Sequence, residues 1–166
     1  MVNCLLNMIS KDERVVTIEE TPELLCDHPQ VVKLVARFPN SDGKGNVSLR
    51  DLVKASLRMR PDRIVLGEVR SVEAFDLMQA LNTGHDGSIC TLHANGPYEV
   101  IDRLASLAIL AHKGFSYEAI TRQFYMGIDV IIFTNNVHGM RQISSISEID
   151  RSSNNPKIIQ VARPLL

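Results

Sequence analysis

Acids and a histidine stand at the ends of short apolar runs in this chain. Val15-Val16-Thr17-Ile18 leads into Glu19-Glu20, with Glu23 just beyond; Leu66-Gly67 leads into Glu68; and Ile89-Cys90-Thr91-Leu92 leads into His93. In an open α/β sheet, ligands bind outside the carboxyl ends of the strands, so groups that terminate parallel strands converge on one crevice by topology alone. Acids and a histidine without a basic surround would repel a bare anion. They make sense around a divalent cation that bridges to phosphates, and Mg²⁺ is the candidate because it keeps several waters and is held through one or two carboxylates.

Arg63-Ile64-Val65-Leu66-Gly67-Glu68 has the form of a Walker B strand, an apolar run buried on both faces of a parallel sheet followed by an acid placed to hold a metal or orient an attacking water. By itself it equally describes a core strand followed by an acidic turn residue, and Glu19-Glu20-Thr21-Pro22-Glu23 equally describes a solvated turn before a proline. His85 and His93 bracket one short strand, so they lie at its opposite ends and cannot share a metal unless the strand bends. His93 is placed to hydrogen-bond a phosphate, whereas His85 serves as well as a turn residue satisfied by backbone. Cys90 and His93 lack the two further ligands that a zinc site needs at useful spacing.

The elements that would position these groups alternate between strand and helix patterns, the signature of βαβ units and a largely parallel sheet. Strands are expected at Val15–Ile18, Arg63–Leu66 and Ser88–Leu92, and helices at Ser48–Met59 and Val72–Leu81. Ser48 followed by Asp51 has capping-box spacing, Leu49, Leu52, Val53 and Leu57 share one face, and Pro61 ends the run. Helices follow at Pro97–Ala111, with proline in the first turn, and Ser116–Met126, stopped by Gly127. Ile128–Phe133 and Met140–Ile149 form an antiparallel hairpin across Asn135-Asn136-Val137-His138-Gly139. Pro39 to Asn46 is a surface connection.

The 166 residues fit one domain, and 45% hydrophobic with 22% charged residues is a globular composition. Eighteen Lys and Arg against 19 Asp and Glu leave a net charge of −1, with no basic surface for direct nucleic-acid binding and no polybasic membrane anchor. Cys4, Cys26 and Cys90 form no CxxC pair, which argues against a disulfide framework and for a reducing compartment. No apolar stretch approaches the roughly 20 residues of a transmembrane helix, and the first residues lack signal-peptide features.

Taken in order, these segments resemble the motor ATPases of bacterial type II and type IV secretion and pilus systems, in particular the branch serving tight-adherence pili and conjugation-like transfer. Asp12 to Leu24 is similar to the family's acidic box, Arg58 to Arg70 to its Walker B segment, and Leu81 to Ser88 continuing through Thr91 to Asn95 to its histidine box. The resemblance implies a RecA-like P-loop NTPase core, a hexameric ring, and Mg²⁺-dependent ATP hydrolysis that drives export, pilus assembly or conjugative transfer. It implies Glu68 as the catalytic acid that supports Mg²⁺ and positions water, and Glu19, Glu20 and Glu23 as the acids around metal and γ-phosphate, Glu19 sharing the metal with Glu68. His85 and His93 would report the γ-phosphate, and Arg70 would hold the loop after Glu68. The implied location is cytoplasmic, at the inner face of the cell membrane, with inner-membrane secretion or pilus components as partners.

Two departures matter. The acidic box reads Glu19-Glu20 where Glu-Asp is usual, which keeps the charge and lengthens the reach. More seriously, a phosphate-binding loop needs a glycine-rich turn and a lysine, and the chain has no GxxxxGK[ST]. Gly43-Lys44 is followed by Gly45, with Phe38 where the first glycine belongs. In the family that loop would precede a helix similar to Asn3-Cys4-Leu5-Leu6-Asn7, so residues 1–166 are expected to be a partial, C-terminal ATPase domain, lacking the first strand and the P-loop and unable alone to bind ATP productively. The alternatives are a non-catalytic subunit acting through ring contacts and, with less to support it, a small metal-dependent phosphohydrolase.

Overall fold

The computed structural model describes residues 1–112 and 114–162. A short helix α1 (Val2–Leu6) precedes strand β1 (Val15–Glu19), followed by β2 (Val31–Val35), α2 (Leu49–Ser56), β3 (Arg63–Val69), α3 (Glu73–Leu81) and β4 (Ile89–Leu92). Then come α4 (Val100–Ala108), α5 (Tyr117–Gly127), β5 (Val130–Val137), β6 (Met140–Asp150) and β7 (Lys157–Ala162). The first four strands make a parallel sheet in the order β2-β1-β3-β4, and the last three a separate antiparallel sheet in the order β5-β6-β7. This is the α/β architecture expected from the alternating pattern.

Burial on both faces explains why β1 and β3 read as unbroken apolar runs. Val16, Ile18, Ile64 and Leu66 point into the main core with α2, α3, α4 and α5, where Phe124, Leu77, Met78 and Leu104 are almost fully enclosed. Val15 and Val65, on the alternate face, pack under Leu6 and Ile9 of the α1 segment. Period-two alternation thus splits one sheet between two cores.

The expected helix start at Ser48 forms a full capping box, Ser48 Oγ accepting from the Asp51 amide and Asp51 accepting from the Ser48 amide. Pro97–Ala111 is not one α-helix: 3₁₀ turns at Pro97–Glu99 and Ile109–Ala111 flank α4, while Ile101, Leu104, Leu107 and Ala108 still face the core. Tight 3₁₀ turns at helix ends satisfy terminal backbone groups that the α ladder leaves free. Asn135 and Asn136 belong to β5 rather than to a loop, because His138 and Gly139 alone make the turn, at φ of 51° and 84°. Two residues with positive φ fit the twist of a tight hairpin. β7 extends the expected hairpin to three strands, and β2 adds a strand beside β1.

At the amino edge of the parallel sheet, Arg63 pairs with Glu13 and donates to the Gly87 carbonyl, tying the approaches to β1, β3 and β4 together. At the carboxyl edge the β3–β4 register shifts between Leu66 and Val69, one extra residue entering β3 at Gly67-Glu68. Such a bulge re-aims the side chain it carries.

Candidate functional site

The bulged end of β3 delivers Glu68 to the carboxyl edge with its side chain 24% exposed. One oxygen accepts from Arg70 Nη2 at 2.5 Å, and the other lies 3.3 Å from Nε2 of His93, the residue that follows β4. Arg70 Nη1 also reaches Glu20 at 3.1 Å, at the end of β1. Three neighbouring strands therefore contribute Glu20, Glu68 and His93 to one cluster, with Arg70 as the bridge. The Arg70 guanidinium, first by hydrogen bond and then by charge, with His93 adding a smaller charge contribution, holds the Glu68 carboxyl below the usual carboxylate range, against a partial desolvation. The same pairing pushes Arg70 above its ordinary value. Glu23 is exposed on the loop after β1, within the field of Arg70.

Glu19, the last residue of β1, lies beside the bulge against Gly67, and His85 lies apart from the cluster. Glu19 is 6% exposed, and its Oε1 accepts the Glu23 and Leu24 amides, both at 2.8 Å. Oε1 of Glu19 thus staples the loop backbone. His85 precedes β4, at the end of that strand away from Glu68. Its Nδ1 lies 3.1 Å from the Ala80 carbonyl, a backbone contact that the turn reading of His85 anticipates. Burial pushes the Cys90 thiol up to about 11.

Some of the shaping residues escape a reading by motif. Gly67 lets Glu19 lie against β3, because a Cβ there would sit 3.1 Å from Glu19 Cγ. Thr91 Oγ1 donates to the Gly67 carbonyl inside the bulge. Glu73, at the start of α3, accepts the Arg70 and Ser71 amides at 2.6 and 2.7 Å. A short acid-x-arginine spacing and a glutamate at a helix start are the only sequence signals for this, and neither says which backbone groups are held.

Ionised carboxylates at the edge of a parallel sheet suit a hard cation with oxygen ligands, and Mg²⁺ needs only one or two of them. Among the described residues no three His, Cys, Asp or Glu side chains form a ready-made metal cage. The donor set therefore fits Mg²⁺ that arrives with further oxygens, as it does on a nucleotide. Glu68 and Glu20, bridged by Arg70, are the two carboxylates that the cluster brings together. Nothing comparable cradles phosphate in the Gly43-Lys44-Gly45 loop: the Asp42 and Lys44 amides both donate to Asn40 Oδ1, and the Gly43 amide to the Asn40 carbonyl. The backbone donors of that turn point at its own asparagine.

The fold and motifs match known proteins. Residues 1–138 match the family model for type II/IV secretion system proteins. A putative conjugal transfer protein of Mycobacterium tuberculosis is 40% identical over 97% of the chain, which spans 46% of that relative. The VirB11 protein of Agrobacterium fabrum is 39% identical over 80% of the chain, corresponding to 39% of its own length. In structure, the VirB11 ATPase of the Brucella suis type IV secretion system, solved with sulphate, superposes with a TM-score of 0.77 at 34% identity, over 88% of this chain and 43% of that one. The pilus retraction motor PilT shares the fold at a TM-score of 0.59 and 22% identity, over 96% of this chain and 41% of that one. The chain thus spans less than half the length of the relatives it matches. The parallel sheet, the acids at its carboxyl edge and the match across residues 1–138 together make this chain a member of the type II/IV secretion system ATPase family.

Proposed function

We propose that residues 1–166 are the part of a secretion, pilus-assembly or conjugation ATPase that handles metal and water, and that the phosphate-gripping loop comes from a segment outside them. The observation that carries this is the Glu68–Arg70–Glu20–His93 cluster at the carboxyl edge of the parallel sheet. A Mg²⁺–ATP complex would supply the electrophilic phosphorus and neutralise the charge that develops on the phosphate oxygens. Glu68 would hold the metal through its water shell or orient the attacking water, Glu20 and the exposed carboxylate of Glu23 would face the same charge, and His93 would offer a hydrogen bond toward the phosphate. Arg70 holds the Glu68 carboxyl ionised until a cation replaces it.

The sheet has room for the supplying segment. β4 ends the parallel sheet and β5 ends the antiparallel one, so each offers an unpaired edge. Both edges, together with Val2 and Leu5 of α1, line a single groove of about 530 Å³. One extended strand in that groove would pair with β4 and lead a glycine-rich loop toward the carboxyl edge. The partners are other copies of the subunit in a hexameric ring and the inner-membrane components of a secretion or pilus assembly, met at the cytoplasmic face. A second reading, a non-catalytic subunit acting through ring contacts, is favoured only by the self-satisfied Gly43-Lys44-Gly45 turn.

The test is to join the chain to the N-terminal half of the Brucella suis VirB11 ATPase and measure phosphate release. Mg²⁺-dependent hydrolysis is expected, falling by about 10²-fold or more in Glu68→Gln, the size of effect seen when a general base is removed. Hydrolysis that survives Glu68→Gln would take that residue out of its role, and a folded chimera with no hydrolysis would favour the non-catalytic subunit.

A further inference from the structure

Glu73 is 4% exposed, yet its carboxylate does not serve the helix it begins. The N-cap residue of α3, Val72, makes no side-chain cap, and the donors that Glu73 takes belong to Arg70 and Ser71, outside the helix. A buried carboxylate is costly unless hydrogen bonds compensate it, and two charge-assisted bonds to backbone amides do so here. What they fix is the loop between β3 and α3, whose first residue after the strand is Arg70. Glu19 does the same for the loop after β1, accepting the Glu23 and Leu24 amides. The two loops that carry the exposed acids and the bridging arginine are thus each pinned from below by a buried glutamate, with Gly67 leaving space for one of them.

We propose that Glu73 is a positioning residue, which sets the Arg70 guanidinium between Glu68 and Glu20 by holding the Arg70 and Ser71 amides. Arg70 is itself 59% exposed and reaches its two carboxylates through a flexible side chain. Without a fixed backbone beneath it, ordering that side chain costs entropy that two exposed ion pairs do not recover. The functional meaning of this role rests on Glu68 and Glu20 being the acids of the site. The restraint on Arg70 is measured without nucleotide, so failure of the ATPase reading leaves it standing, and the converse also holds.

The experiment is ¹⁵N NMR of arginine side chains in the folded 166-residue protein, reading rotation of the Arg70 guanidinium nitrogens. In wild type the rotation is slowed by the two carboxylates. Glu73→Leu, which removes the acceptor, is expected to speed it about tenfold, the equivalent of losing one charge-assisted hydrogen bond. Glu73→Gln keeps an acceptor oxygen and retains the slow rotation. Ser116→Ala, which weakens the start of α5 outside the cavity that Arg70, Ser71 and Glu73 line, leaves the rotation unchanged and controls for general loosening. Arg70 as restrained in Glu73→Leu as in wild type, or freed equally by Ser116→Ala, would overturn the assignment. Should Glu73→Leu fail to fold, two measurements decide: free rotation in Glu73→Gln, or no scalar coupling in wild type from the Arg70 and Ser71 amide nitrogens to the Glu73 carboxyl carbon, overturns it equally.

Discussion

The Arg70 guanidinium holds Glu68 ionised at pH values where an isolated glutamate would take up a proton, whose ordinary midpoint is about 4.3. Because the folded midpoint is lowered, the pairing contributes stability above the unfolded midpoint and loses it as pH falls through the folded one. Arg70→Met should therefore move the Glu68 midpoint up toward the ordinary value, read by carboxyl ¹³C NMR titration; an unmoved midpoint would show that Arg70 is not the cause. Whereas Arg70 entered only through the family resemblance, the meeting of Glu20, Glu68 and His93 at one edge was legible in the sequence because strand ends in a parallel sheet converge whatever the loops do. The inward turn of Glu19 was not, since the side-chain direction at a strand terminus is set by which amides the following loop presents. Glu73 was hidden for the same reason: its role depends on the backbone of Arg70 and Ser71, not on its own type or spacing.

Among the elements, β1, β3 and the capped start of α2 were readable because burial on both sheet faces and a hydroxyl three residues ahead of an acid leave strong local patterns. Ser48→Ala should lower stability by about 0.5–2 kcal/mol, the range for losing an N-cap side chain, as measured by urea unfolding. A midpoint unchanged from wild type would show that the Asp51 carboxylate suffices for that helix start. β2 and β7 left weaker signals. Both are edge strands, with no fully buried residue in β2 and exposed Lys157, Ile159 and Val161 in β7, so neither is enclosed on both faces as β1 and β3 are. In the hairpin, Asn135 and Asn136 favour turns by type, yet pairing with Gln142 and Arg141 keeps them in the ladder, and the backbone of His138 and Gly139 closes the turn instead. Cross-strand pairing outweighed local preference there.

At the scale of the molecule, the acids are assembled while the groups that grip phosphate are not found among the described residues. The β4 edge of the parallel sheet faces the unpaired β5 edge across one groove, which has space for a further strand. On the proposed division, Glu68 and Glu20 would meet a nucleotide only through Mg²⁺, and without backbone amides and a lysine around the β- and γ-phosphates nothing would offset the repulsion between these carboxylates and a triphosphate. The most direct measurement is calorimetric titration of Mg·ATP into the purified 166-residue chain, with phosphate release followed in parallel. No tight binding and no turnover are the predicted results, whereas micromolar binding with measurable hydrolysis would contradict the division of the site between this chain and a segment outside it.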